Sequence, residues 1–407
     1  MAERLYLERT LAKEIRRMSE NFKAILLTGP RQIGKTTLLK RSSDASRKYV
    51  TLDNQSDLLF AKTDPRGFLD AYSPPVIIDE IQYAPELFPY IKILLDNSDQ
   101  SGLIWMTGSQ QYDMMKNVTE SLAGRIAIID MLGFSAYERE GMGTQQDPFL
   151  PSPKPKSILK KKSMIDTFKI IWQGAFPDAV SKEDPKNWNA FYDSYVRTYL
   201  ERDVRQLLNV GNEISFITFL KVVAARTAQE LNFEDIARNV GISPSTVKNW
   251  ISVLKTSGII YLLQPYFKNI TKRLTKTPKL YFMDTGLAAY LAGWTTSEAL
   301  QFGTSAGAFF ETFVVTEILK SYKHNAENPS VCFFRDEKGH EIDLLIQKHG
   351  KYYPVEIKKH ATPLFKDVSA FKIFSKIETV EYGCEICLTP ETQLLSNNAN
   401  AISVWDI

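Results

Sequence analysis

Cysteine is scarce in this chain: Cys332, Cys384 and Cys387 are the only three among 407 residues. Three thiols in so long a chain imply no disulfide framework and point to a reducing, cytoplasmic setting. Long apolar runs are missing as well. No stretch approaches the roughly 18 consecutive apolar residues that a membrane helix needs. The opening MAERLYLERT carries charge where a signal peptide carries its apolar core. Neither sign of charge dominates: 50 Lys and Arg face 47 Asp and Glu, for a formal net charge of +3. The distribution of charge therefore matters more than its sum. No internal repeat is visible. With 44% hydrophobic and 24% charged residues, the composition excludes a wholly disordered, collagen-like or coiled-coil chain. At about 100–200 residues per domain, two to four domains are expected.

What is present is a succession of segment types. Residues 1–20 read as one helix, with Leu5, Leu11, Ile15 and Met18 spaced along a face. Short apolar runs then alternate with helical stretches: Ala24–Thr28, Tyr49–Leu52, Val76–Asp79, Leu103–Thr107 and Ala127–Asp130. Such alternation predicts an α/β domain over 1–134, a parallel sheet covered on both faces. Residues 135–220 read as a helical lid, rich in aromatics such as Trp172, Trp188 and Tyr192. An insertion at 145–163 interrupts it. Pro148, Pro151, Pro153 and Pro155 exclude regular structure there, and five lysines between Lys154 and Lys162 make it an exposed loop.

Gly29-Pro30-Arg31-Gln32-Ile33-Gly34-Lys35-Thr36-Thr37 contains the full G-x-x-x-x-G-K-[ST] pattern, after an apolar strand and before a helical run. That is the context of a phosphate-binding loop. Glycines let backbone N–H groups curl around phosphate oxygens, and the helix N-terminus adds its positive end. Lys35 is expected to reach the β- and γ-phosphates of ATP, and Thr36 to offer its hydroxyl to Mg²⁺. Val76-Ile77-Ile78-Asp79-Glu80 is an apolar strand ending in two acids. Asp79 is the expected second Mg²⁺ ligand, and Glu80 the base that polarises the attacking water. Thr107-Gly108-Ser109-Gln110 ends the next strand, where Ser109 or Gln110 is a candidate γ-phosphate sensor. Arg125, after the fourth strand, is the candidate cation for charge building on the γ-phosphate, in cis or from a neighbouring subunit; Arg31 is the second candidate.

These motifs, with Leu52–Asn54, Ser121–Arg125 and Tyr199–Val204 (YLERDV), resemble the prokaryotic AAA-type ATPases that carry a C-terminal domain of unknown function. The resemblance spans nearly the whole chain and implies ATP and Mg²⁺ as cofactors. It also makes the 145–163 loop look like a lineage-specific insertion.

Residues 221–295 carry a helix–turn–helix pattern with strands after it, read as a winged helix. Glu234–Gly241 is a short helix; Ser243 and Pro244 restart a second one. Val247, Trp250, Ile251 and Leu254 mark its buried face. From Thr246 to Lys279 there are seven basic residues (Lys248, Lys255, Lys268, Lys272, Arg273, Lys276 and Lys279) and no acid. Such a face suits duplex phosphates, although winged helices also serve as packing modules.

Residues 300–407 contain Glu311 early in a helix, Asp343 on one strand-like run, and Glu356 and Lys358 on the next. This layout matches a restriction-endonuclease-like α/β domain in which Asp343 and Glu356 share one Mg²⁺, Glu311 holds a metal-bound water and Lys358 steadies the attacking hydroxide or the pentacovalent phosphate. Cys384 and Cys387 read as buried strand thiols. The chain is thus expected to be an ATPase coupled to DNA, a homo-oligomer being compatible and a membrane not. The rival readings are a nucleotide-dependent switch with a protein partner, and an ATP-dependent DNA nuclease.

Overall fold

The computed structural model describes residues 6–108, 122–181, 184–200, 213–267 and 277–407. Five strands, β1 (Ala24–Thr28), β2 (Lys48–Thr51), β3 (Val76–Asp79), β4 (Ile104–Gly108) and β5 (Ile126–Asp130), form a parallel sheet in the order β2-β3-β4-β1-β5. Strands β1, β3 and β4 are buried along their whole length, which is why they read as continuous apolar runs rather than alternating ones. Ile25, Leu27 and Ile77 face one core, and Leu26, Ile78 and Met106 the other. Helices α1 (Leu11–Asn21), α2 (Lys35–Ser42) and α3 (Leu87–Asp96) belong to the covering layers.

The first helix is shorter than its apolar spacing predicts. It starts at Leu11, and residues 6–10 are not helical. The reason is polar: Thr10 N–H donates to Glu138 Oε1 at 2.9 Å, and buried Arg9 pairs with Glu138 at 3.1 Å. Leu5 lies outside the described residues.

Helices α4 (Met164–Gln173) and α5 (Pro185–Tyr195) pack through the aromatics, with Trp172 and Trp188 stacked 4.1 Å apart. The 145–163 segment is irregular, as its prolines require, but it is no free loop. Phe149 and Leu159 are buried. Ser321 Oγ accepts from Phe149 N–H at 2.9 Å, Tyr322 OH donates to Phe149 O at 2.8 Å, and Asn400 Nδ2 to Ser152 O at 3.1 Å. Lys161 pairs with Asp406 and Lys162 with Glu140. The segment is a strap across the C-terminal domain, and Lys156, Lys161 and Lys162 find carboxylates.

Helix α6 (Glu213–Ala224), β6 (Gln229–Glu230), α7 (Phe233–Val240), α8 (Pro244–Thr256), β7 (Ile260–Leu263) and β8 (Lys279–Phe282) make a three-helix unit with an antiparallel sheet ordered β6-β8-β7. The boundary drawn at 220 falls inside α6. Its Phe216 and Phe219 lie 5.2 and 5.1 Å from the Trp250 ring on α8, so α6 belongs to this unit.

The last unit comprises α9 (Ala306–Lys323), β9 (Ser330–Arg335), β10 (Glu341–Lys348), β11 (Lys351–Ile357), α10 (Ser369–Phe374), β12 (Gly383–Cys387), β13 (Gln393–Ser396) and β14 (Ala399–Ser403). Its sheet runs β13-β14-β12-β11-β10-β9, with β11, β12 and β14 mutually parallel. Cys384 and Cys387 are buried in β12. The chain beyond β7 pairs with β9: Phe333 N–H donates to Gln264 O at 3.0 Å and Tyr266 N–H to Phe333 O at 2.6 Å. That covers a sheet edge which would otherwise offer unpaired backbone groups.

Helix α9 ties the units together. Glu317 Oε2 accepts from Ala136 N–H at 2.7 Å, and Lys320 Nζ donates to Phe134 O at 3.0 Å and to Glu317 Oε1 at 2.8 Å, all buried. Lys323 pairs with Asp130, at the end of β5, at 2.7 Å. Thr312 shares a hydrogen bond with Thr227 at 2.8 Å. Removing one partner of a buried pair strands the other in low dielectric, at a cost of about 3–5 kcal/mol. Glu317→Ala is therefore expected to lower the unfolding free energy by about that amount in a denaturant titration. A loss below about 1 kcal/mol, no more than a surface pair is worth, would show that the pair does not hold the units together.

Candidate functional site

Residues 29–34 join β1 to α2 at the carboxyl edge of the sheet. Gly29 has φ 141° and Gly34 φ 93°. A Cβ on Gly29 would meet Met131 O at 2.2 Å, so this position needs glycine for space as well as for φ. Lys35 is buried, its Nζ donating to Gly29 O and Pro30 O at 2.9 Å each. The ammonium thus rests on the loop's own carbonyls. A nucleotide γ-phosphate would compete for it there.

Asp79, buried at the end of β3, collects hydroxyls. Thr36 Oγ1 donates to its Oδ1 at 2.8 Å, Tyr49 OH to Oδ2 at 2.9 Å, and Thr107 Oγ1 to Oδ1. Burial, and then the Asp79 carboxylate, push the Tyr49 phenol well above its ordinary value. Thr36 and Asp79 side by side supply the oxygen donors that a hard Mg²⁺ takes. Glu80 follows at φ 58°, its N–H donating to Thr107 Oγ1 at 3.0 Å and its carboxylate accepting from Gln82 Nε2. The positive φ turns this residue out of the strand line, a conformation that costs a non-glycine residue about 1–3 kcal/mol and concentrates at functional sites.

Thr107 and Tyr49 were not candidates from the sequence. Thr107 lies on β4, between β3 and β1, so strand order is what brings it to Asp79. Ser109, the sequence candidate, and Gln110 lie outside the described residues. Beside the loop is a cavity of about 450 Å³ whose lining includes Tyr6, Gly34, Thr37, Arg41, Phe134 and Pro177. Of the expected lid, the short helix Pro177–Val180 and Ser181 reach this cavity. Arg31, Gln32 and Ile33 form the loop's crest, and Pro30 and Ile33 also face Ile259 and Met283 of the three-helix unit across a narrow cleft.

Arg125 does not reach this nucleotide site. It precedes β5, whose Ile126 pairs with Ala24 at the start of β1. It sits therefore at the amino edge, about 15 Å of strand away from the loop. There it pairs with Asp96 at the end of α3, Nη2 to Oδ2 at 3.2 Å. A role on its own chain's γ-phosphate is excluded by strand direction.

In the C-terminal unit, Glu311, Asp343, Glu356 and Lys358 do converge. Asp343 Oδ2 accepts from Ile357 N–H at 2.9 Å and lies 3.7 Å from Lys358 Nζ, which also pairs with Glu356. Two further residues join them. Glu341 is one. Lys279, which the sequence assigned to a phosphate-binding face, is the other: it is buried, with Nζ 2.6 Å from Glu341, 3.2 Å from Glu311 and 3.7 Å from Asp343. Burial pulls the Lys279 ammonium down, but the three carboxylates more than reverse this and hold it above its usual value. Burial, then the Asp343 charge, push Glu311 up to about 7 and Glu356 up to about 8. Glu356 Oε2 has no hydrogen-bond partner. This carboxylate set suits a divalent cation, with Lys279 standing among the same oxygens. Lys279→Met is expected to lower the melting temperature, and millimolar Mg²⁺ to restore it while leaving the wild type unmoved. Equal Mg²⁺ responses in the two proteins would show that lysine and metal do not compete.

Residues 21–140 match the family described as "AAA domain". Residues 164–298 and 306–407 match two domains of unknown function, DUF8612 and DUF4143. The uncharacterized protein Rv2008c of Mycobacterium tuberculosis is 30% identical over 359 residues, covering 87% of this chain and 74% of its own. Its Mycobacterium bovis counterpart Mb2031c aligns identically. A Walker-type ATPase of Pyrococcus abyssi aligns over 70% of this chain and 96% of its own at 14% identity, with a TM-score of 0.45, a loose likeness. With the loop, the acid-ended strand and the parallel sheet in place, the chain belongs to the family of these mycobacterial proteins, and its first unit is a P-loop AAA domain.

Proposed function

We propose that the protein is a Mg²⁺-dependent ATPase whose turnover is coupled to duplex DNA. The observation that carries the reading is the Asp79 carboxylate, held by Thr36 of the phosphate-binding loop and by Thr107 of the strand between. In this reading the nucleoside lies in the cavity beside Gly34 and Thr37. Lys35 leaves its loop carbonyls for the β- and γ-phosphates. Thr36 and Asp79 would hold Mg²⁺, which would neutralise phosphate charge, and Glu80 aligns and deprotonates the attacking water. Arg125, at the far edge of its own sheet, serves only a second copy's nucleotide, which makes a homo-oligomer part of the proposal.

The middle unit has the element order of a winged helix, and α8 is its recognition helix. Ser243 caps that helix, accepting from Thr246 N–H. Ser245, Lys248, Asn249, Ser252 and Lys255 are exposed on it. Lys268, Lys272, Arg273 and Lys276 lie outside the described residues, and Lys279 is subtracted from the DNA face. The cleft between Pro30 and Ile259 gives phosphate binding a direct neighbour in this unit. The order α9-β9-β10-β11-α10-β12 supports the restriction-endonuclease-like reading, and the orphaned Glu356 oxygen favours a second reading, a metal-dependent nuclease held in check by Lys279.

ATP turnover measured across a DNA titration tests the proposal. Lys35→Ala is expected to weaken ATP binding and abolish hydrolysis, and Glu80→Gln to retain binding and lose turnover. Wild-type hydrolysis by Glu80→Gln would remove that residue as base. Turnover indifferent to DNA would favour the switch with a protein partner, and cleavage of supercoiled DNA in Mg²⁺ the nuclease. For the DNA face, Lys248→Ala with Lys255→Ala should flatten the log–log salt dependence of duplex affinity by about 0.9 for each lost phosphate contact. An unchanged slope would take DNA off α8.

A further inference from the structure

A second cluster in the C-terminal unit is used by none of the chemistry above. His360 follows β11, Asp367 lies in the 3₁₀ turn Phe365–Val368, and Glu385 is the middle residue of β12. One ligand-type atom from each falls within 4.8 Å of the others. His360 Nε2 is 2.7 Å from Glu385 Oε1 and 3.6 Å from Asp367 Oδ2. The backbone fixes this arrangement: Leu388 N–H donates to His360 O at 2.9 Å, and Lys358 N–H to Ile386 O at 3.1 Å. These bonds hold the chain after β11 against β12, with His360 over Glu385.

The unmet valences point to a cation. Glu385 is 0% exposed, yet its Oε2 has no hydrogen-bond partner. Asp367 Oδ2, the atom aimed at His360, is buried and has none either. Leaving a buried acceptor unsatisfied costs about 1–3 kcal/mol, and more for a charged one. Here two carboxylates share one imidazole. Burial pushes Glu385 up, His360 and, to a lesser degree, the Cys387 thiol draw it back, and Asp367 adds repulsion. A divalent ion among the three would satisfy both orphan oxygens and separate the like charges. The imidazole side chain is 35% exposed, so an ion and its remaining water ligands have access from solvent.

We propose that His360, Asp367 and Glu385 bind a divalent transition-metal ion, with Zn²⁺ or Co²⁺ as the probe. One nitrogen and two carboxylate oxygens suit such ions better than Mg²⁺, which prefers an all-oxygen shell. The site is not the one at Asp343 and Glu356, although the two are neighbours: Glu356 and Glu385 are register partners on β11 and β12.

The test uses the full-length, nucleotide-free protein, stripped with chelator and titrated with Co²⁺ and then Zn²⁺. Wild type and Glu356→Gln are expected to develop a visible Co²⁺ band that Zn²⁺ displaces. His360→Ala, a change at a partly exposed position, should lose the band while keeping its circular dichroism and melting temperature, and Asp367→Asn should weaken Co²⁺ binding at least tenfold. A band that survives His360→Ala, a band lost equally in Glu356→Gln, or no Co²⁺ uptake by the wild type would each overturn the assignment.

Discussion

Helix α9 is almost wholly buried, and a buried helix must spend each polar side chain on a partner. That single constraint organises the molecule. Glu317 and Lys320 satisfy each other and, with their remaining capacity, a backbone N–H and a carbonyl at the end of the AAA domain. Lys323 reaches the end of β5. Glu311 turns the other way, to Lys279 and Tyr281 of β8. Thr312 meets Thr227. Any movement of one unit against another must break charge-assisted bonds in low dielectric, where they are strong and costly to leave unpaired. The three units therefore pack as one body, and one hydrophobic cluster runs from Leu11 to Ile407.

This has a consequence for coupling. The phosphate-binding loop faces Ile259 and Met283 across a narrow cleft, through Pro30 and Ile33. Met283 follows directly on β8, the strand that carries Lys279 into the carboxylates. A change in the loop's conformation is thus four residues of one strand away from the C-terminal acids. Proximity of this kind is the setting in which two sites can bias one element jointly.

How much of this the sequence declared depended on whether the signal was local. The loop from Gly29 to Thr37 was legible because its function is carried by consecutive backbone groups. The strands were legible because burial on both faces leaves unbroken apolar runs. Thr107 and Tyr49 were not, because they reach Asp79 only through the order β2-β3-β4-β1, which no spacing reveals. For Arg125 the sequence left its own chain's nucleotide and a neighbouring subunit's both open, for want of a direction. It precedes its strand, and in a parallel sheet a residue before a strand lies at the edge opposite the phosphates. The C-terminal Glu311, Asp343, Glu356 and Lys358 were legible as a set, but Lys279 was hidden inside an acid-free stretch that reads as a nucleic-acid face. The lysines of the 145–163 strap, likewise, read as those of an exposed loop because their partners Glu140 and Asp406 come near only in the fold.

The C-terminal sheet shows what those long-range contacts accomplish. Asp343, Glu356 and Glu385 occupy three neighbouring strands, and each carboxylate is a liability in a dry interior. The chain meets the first with Lys279, Lys358 and the Ile357 N–H, and the second with Lys358 alone, leaving Oε2 bare. The third has His360 on Oε1, the Cys387 thiol beside it, and an Oε2 without a hydrogen-bond partner. Compensation therefore runs down along the row from Asp343 to Glu385, and the orphan oxygens appear on the last two. A lysine imported from the middle unit neutralises the end that faces that unit. The far end, beyond the reach of β8, has no lysine partner among the described residues, and there the proposed cation would supply the balance, entering from solvent past His360.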